Sequence, residues 1–168
     1  ELEKLGGALL PMLLLQMTLL AAGVGMTLNA VAAFGEELGW RGFLHQHLAT
    51  MGFWSRAALV GFFWGLWHLP LTLRGHNYPS HPELGVAMMI ALCLLLSPAF
   101  EWIRARSGCV IGPTWLHGTL NALGGAGALV AGSDLMRGPA GAAGMIVLAT
   151  FNLGLWWSAR RGWTRLQP

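Results

Sequence analysis

Gly35-Glu36-Glu37-Leu38-Gly39-Trp40-Arg41 sets two adjacent carboxylates and an arginine into a chain that is otherwise mostly apolar. Only 10% of the residues are charged, yet Glu36, Glu37 and Arg41 fall within one short stretch. Its flanks are Ala30-Val31-Ala32-Ala33-Phe34 on one side and Phe43-Leu44 on the other. A carboxylate at membrane depth is costly and by default points to function. On a helix, residues four apart share a face, so Glu37 and Arg41 are neighbours in the acid-before-base order that helices favour. Glu36 points about 100° away from that pair and stays available. The paired carboxylate remains ionised, whereas the free one, facing a desolvated cavity, suits general acid or base work. A merely polar helix turn at a membrane surface is the plainer alternative, and the apolar flanks argue against it.

Two imidazoles and an amide extend the set. His68 sits in Phe62-Phe63-Trp64-Gly65-Leu66-Trp67-His68-Leu69-Pro70. A lone histidine on an aromatic segment is more often a packed residue than a catalyst. His117 comes in Thr114-Trp115-Leu116-His117-Gly118-Thr119-Leu120-Asn121, with Asn121 one turn later on the same face. Histidine and asparagine can equally bridge neighbouring helices by hydrogen bonds. Each signal is weak alone. Together, in three separate apolar segments, they offer a base, two imidazoles and an amide donor. His45, His47, His76 and His81 lie near segment ends or in a polar loop and need no special explanation. His76 and His81 are expected to be solvated loop residues outside the site. Cys93 and Cys109 have neither disulfide nor metal-ligand spacing.

The elements that must position these groups follow from composition. At 168 residues the chain reads as one membrane-embedded domain over 1–168, and a start at Glu1 fits an N-terminal portion beyond it. Hydrophobic content of 55% and a mean hydropathy of +0.56 exclude an ordinary soluble globule. The 24 glycines argue for close helix packing, and the nine tryptophans for aromatic belts at the membrane surfaces. A net charge of +3 implies no nucleic acid. Lys4 followed by Ala8-Leu9-Leu10 superficially resembles a signal peptide, but the apolar run continues too far for cleavage.

The expected fold is all-α, a polytopic transmembrane bundle of about six spans. Its segments run over about 6–33, 34–50, 56–69, 84–103, 110–131 and 140–159. Pro11 falls in the first turns of the first segment, Ser55 caps the third, and Pro113 opens the fifth. Alternation puts Lys4, Arg56, Arg104, Arg106, Arg160, Arg161 and Arg165 on one side, with Arg74 and Arg137 on the other. That asymmetry predicts both chain ends in the cytoplasm. It also sets His68 late in one span and His117 early in a parallel one, so a tilted or re-entrant helix is needed to bring them to one depth.

The order Glu36-Glu37-x-x-x-Arg41, then Phe63-Trp64 ahead of His68, then His117-x-x-x-Asn121 resembles the CPBP family. These are the CAAX-protease and bacteriocin-processing intramembrane proteases, also known as the Abi family. By motif the resemblance covers Phe34 to Ala122; the flanking segments share only hydropathy. The family's usual phenylalanine four before the second-motif histidine is Trp64 here, which keeps an aromatic wall.

The resemblance implies an integral protein of the bacterial plasma membrane that hydrolyses a peptide bond in a cavity opening to the cytoplasm. Its partners would be membrane lipid and a membrane-associated protein or peptide, either a CAAX-type prenyl protein or a bacteriocin or leader-like peptide. By resemblance, Glu36 activates water with His68, His117 and Asn121 stabilise the oxyanion, and Glu37 and Arg41 support the helix. The family is often labelled metalloprotease. A metal-free glutamate mechanism is the expectation preferred here, with a zinc site built from Glu36, His68 and His117 as the alternative. The dense His-Glu-x-x-His signature of soluble zinc proteases is absent. Two further readings compete: a silent scaffold or immunity protein, and a proton-coupled carrier, which would call for an internal repeat the sequence lacks.

Overall fold

A computed structural model describes residues 2–124 and 132–162. Among the described residues there are helices and no strands, and the molecule is an all-α membrane bundle. Three helical stretches are long and apolar enough to cross a bilayer: Pro11–His47, Pro82–Ser107 and Ala142–Arg160. The end of the expected fifth segment, up to Ala131, and Arg165 lie outside the described residues.

The chain begins with one uninterrupted helix. α1 (Leu2–Leu20) passes into a π-helical segment (Ala21–Asn29), then α2 (Ala30–Glu37), a second π-helical segment (Leu38–Leu44) and α3 (His45–His47). The boundary expected near residue 33 is therefore not a break. Its charged turn does not need water, because Glu37 and Arg41 satisfy each other inside the bundle, so the backbone has no reason to leave the helix. Pro11 lies well inside α1, not in its first turns. α2, which carries both glutamates, is flanked on each side by π-helix, a local widening that recurs at functional sites.

α4 (Phe53–Trp67) starts after Gly52 with no side-chain cap, so Ser55 does not cap it. Its 15 residues cover only ~22 Å, short of a ~30 Å hydrocarbon core. α4 alone is therefore too short to cross, and the chain turns at His68 into the brief α5 (Leu69–Thr72, with Pro70 in its first turn). α6 (Pro82–Ser107) is 26 residues long and ends at Gly108, whose φ of 69° is the left-handed cap glycine favours. α7 (Ile111–Gly124) has Pro113 in its first turn, as expected, and α8 (Ala142–Arg160) closes the bundle.

Glycine sets how closely these helices meet. α4 packs on α6 through Gly61-x-x-x-Gly65. A methyl group on Gly65 would lie 2.6 Å from Ile90 Cα, and one on Gly61 2.8 Å from the Cys93 carbonyl. This is the small-residue spacing that lets membrane helices touch backbone to backbone. α7 lies along the first π-helical segment and α2. There a methyl group on Gly118 would stand 2.7 Å from the Ala30 nitrogen. That crossing carries His117, one residue earlier, onto the helix that holds the glutamates. The core is Trp64, Tyr78, Met89, Leu92, Cys93 and Phe100.

Because the first two expected segments are one helix, Lys4 lies at the opposite end of the bundle from Arg41. The polar ties agree with this direction. Arg104 donates to the Arg41 carbonyl at 2.9 Å, and Arg56 and His45 both meet Glu101. Arg56, Arg104, Arg106, Arg160 and Arg161 thus share one end, and Lys4, Arg74 and Arg137 the other. Both chain ends on one side, as alternation had suggested, does not hold for this helix order.

Candidate active site

Glu37 is fully buried and is the hub of the first motif. Arg41 Nη1 donates to its two carboxylate oxygens at 3.1 and 3.3 Å, and His117 Nδ1 lies 2.8 Å from Oε1. The Arg41 guanidinium sits between two aromatic faces, its carbon 4.6 Å from the Trp64 ring centre and 4.4 Å from that of Phe100. Its Nη2 also reaches Ser97 Oγ at 3.4 Å. A buried cation flanked by π faces and paired with a carboxylate has little room to move. Helix periodicity anticipated the Glu37–Arg41 pair. It gave no hint of Ser97, Phe100 or the tie to His117, which come from α6 and α7.

Glu36 points the other way, as the 100° step requires. Its side chain is 24% exposed and faces a cavity of about 1090 Å³. Trp64 Nε1 donates to Oε2 at 3.1 Å, leaving Oε1 toward the cavity, 4.0 Å from His117 Nε2. That gap is too long for a hydrogen bond. Among the described residues that line the cavity, Glu36 is the only carboxylate.

Both imidazoles are oriented by what holds their inner nitrogen. His117 gives Nδ1–H to the Glu37 carboxylate, so Nε2 is turned toward Glu36. His68 gives Nδ1–H to the Trp64 carbonyl at 2.8 Å, which likewise leaves Nε2 for the cavity. Trp64 sits between them, with its ring centre 6.0 Å from that of His68 and 5.2 Å from that of His117. Asn121 lines the same cavity, is exposed to it, and makes no hydrogen bond among the described residues. Glu36, His68, His117 and Asn121 thus meet around one space, and Glu37 and Arg41 stand behind it.

The zinc alternative asks for Glu36, His68 and His117 as a ligand set. Among the described residues, no three His, Cys, Asp or Glu side chains are grouped to hold a metal ion. Trp64 lies among the three, with its indole N–H on Glu36 and its ring against both imidazoles. As arranged, these residues do not fit a zinc ion.

Several residues of consequence had no signal in the sequence. His76 is an exposed loop residue, as expected, but it also lines the cavity with its ring parallel to His68, the centres 6.3 Å apart. His45 is not a bland segment end, since its Nδ1 is 2.7 Å from Glu101 Oε2. Glu101 and Arg56 are both fully buried and bonded at 2.9 Å, a second ion pair well away from the cavity. His81 Nδ1 bonds Asp134 Oδ1 at 2.8 Å. The Ser80 backbone N–H and His81 together hold the Asp134 carboxyl down to about 2. These bonds tie the loop before α6 to the loop before α8.

An all-helical membrane bundle with one carboxylate, three imidazoles and two side-chain amides around one cavity defines a polytopic membrane protein with a polar pocket among its helices. Residues 11–123 match the Rce1-like family, described as type II CAAX prenyl endopeptidase Rce1-like. The chain belongs to that family. It is also similar to a protein named CAAX prenyl protease 2 of Methanococcus maripaludis, 41% identical over 49 residues. That stretch covers 29% of this chain and 18% of the relative's own length. No solved structure matches the chain.

Proposed function

We propose that the chain is an intramembrane endopeptidase that hydrolyses a peptide bond of a membrane-associated substrate with water activated by Glu36. The observation that carries this reading is convergence. Three motifs far apart in the chain meet at one cavity, whose described lining has Glu36 as its only acid. Family membership supports the same reaction class, and the relative's name makes a CAAX-type prenyl protein the substrate to try first.

In this mechanism Glu36 Oε1 takes a proton from a water molecule while the water oxygen attacks the scissile carbonyl carbon. Trp64 keeps the carboxylate aimed by holding Oε2. The carbonyl oxygen becomes an oxyanion facing the Asn121 amide and His117 Nε2, the latter donating when the ring carries its second proton. His68 Nε2 orients the water from the other side. As the C–N bond breaks, Glu36 returns its proton to the leaving amine. The gap between Glu36 and His117 would close on the substrate, as catalytic contacts commonly tighten in the complex.

The test is cleavage of a prenylated CAAX peptide and of an unprenylated control by purified protein in proteoliposomes, before and after dialysis against a strong chelator. Cleavage that survives the chelator is expected. Stoichiometric zinc lost and restored together with activity would overturn the metal-free mechanism. No cleavage of either peptide would favour a silent scaffold.

The cavity end of the bundle is proposed to face the cytoplasm. Its lining comes from His68, the loop after α5, the loop before α8 and the second half of α7, all away from the arginine-rich end. Of those arginines, Arg56 and Arg104 are engaged inside the bundle, which leaves Arg106, Arg160 and Arg161 there against Lys4, Arg74 and Arg137 at the cavity end, so the basic residues favour neither orientation. Cys109, in the short connection between α6 and α7, reports the opposite face. It is exposed, and the Ile111 backbone N–H holds its thiol below the ordinary value. A membrane-impermeant maleimide should label Cys109 from outside intact cells and leave buried Cys93 untouched. Labelling only in inverted vesicles would reverse the assigned orientation.

A further inference from the structure

We infer that His76 is a substrate-positioning residue at the mouth of the cavity, an inference that rests on the endopeptidase reading above. The ring lies parallel to His68, with the two planes 7° apart and the centres separated by 6.3 Å, and it lines the cavity that Glu36 enters. Unlike His68 and His117, whose Nδ1 atoms are taken by Trp64 and Glu37, the His76 ring makes no hydrogen bond among the described residues. An exposed imidazole with both nitrogens uncommitted, facing a binding space, is a donor and an acceptor in waiting.

The loop that presents it is built, not slack. The His76 backbone N–H returns to the Leu71 carbonyl at 3.1 Å. On either side the chain takes left-handed conformations, at Gly75 with φ of 92° and at Asn77 with φ of 64°. Asn77 is the only described non-glycine residue with positive φ, a conformation asparagine adopts readily in turns. Tyr78 is fully buried next door, its hydroxyl donating to the Ala140 carbonyl at 2.6 Å. The Asn77 amide reaches Met89 Sδ at 3.8 Å. His76 is therefore held over the mouth from both sides.

The groups that face this mouth are Glu36 from the long helix, His68 at the end of α4, His117 and Asn121 from α7, and Arg137 from the loop before α8. Asn121 and Arg137, with Asn77 beside them, carry N–H groups, whereas His68 and His117, whose Nδ1–H is already given away, donate through Nε2 only when the ring holds its second proton. The partner that suits such a set is oxygen-rich, namely the carbonyl groups of an extended peptide passing through the mouth. His76 would bond one of these main-chain oxygens and fix the register in which the scissile bond meets Glu36.

The experiment measures kcat and KM for a prenylated fluorogenic CAAX peptide that the wild type cleaves, using wild type, His76→Ala and His76→Gln, with thermal melting in the same detergent. His76→Ala should raise KM roughly three- to tenfold, the loss of one hydrogen bond made equally in ground and transition states. Turnover and melting temperature should hold, and His76→Gln, which keeps a donor, should recover most of the affinity. Unchanged KM in His76→Ala, or a fall in kcat at constant KM, would overturn a positioning role. A lowered melting temperature shared by both variants with normal KM would make His76 a loop brace and also overturn it. Failure of the wild type to cleave any peptide would instead count against the endopeptidase reading.

Discussion

Glu36→Gln should lower turnover by ~10²–10⁴, the usual worth of a positioned general base, while the protein purifies at wild-type yield and melts at the wild-type temperature. The amide oxygen can still accept from Trp64 Nε1, so the geometry behind the site should survive the exchange. What it loses is the ability to take a proton. Glu37→Gln should behave in the opposite way. Glu37 is fully buried and receives both Arg41 and His117. Removing its charge leaves the Arg41 guanidinium uncompensated between Trp64 and Phe100. Breaking a buried pair in that manner costs ~3–5 kcal/mol, and melting in detergent should show it. Wild-type turnover in Glu36→Gln would remove it as the base. A stable, fully active Glu37→Gln would show that the buried pair supports nothing.

Asn121→Leu should reduce kcat by ~10²–10³, as loss of an oxyanion donor does elsewhere, with little change in KM or melting temperature. The forecast uses the place of the side chain. Asn121 is exposed to the cavity and makes no hydrogen bond among the described residues, so the substitution breaks no described contact. Had it bridged two helices, the same change would cost roughly 0.6–2 kcal/mol of stability and spare turnover. His117→Ala separates the two effects within one motif. It should lose both turnover and stability, because His117 faces Glu36 on one side and holds Glu37 on the other. Destabilisation with normal turnover in both variants would take this motif out of the reaction.

The amino-acid sequence by itself determined the solvent and the helix: a chain this apolar must satisfy its backbone within helices in a membrane. It also determined that Glu37 is the paired carboxylate and that Glu36 faces elsewhere. Adjacent residues on a helix face different ways, and the arginine four positions on selects which carboxylate is held. The ordered motifs around His68 and His117 were legible for the same reason, since polar groups stand out against apolar flanks. Hydropathy could not show that the first two segments are one helix, because the charges that suggest a break, Glu37 and Arg41, pair with each other and are then buried by α6 and α7. Nor could it bring His68 and His117 to one depth. That follows from α4 stopping short of a full crossing and from α7 resting against the long helix at Gly118. His76 and the Glu101 pairs were invisible for a related reason. Their meaning lies in residues tens of positions away, and only the paths of the connecting loops decide which of those come within reach of a hydrogen bond.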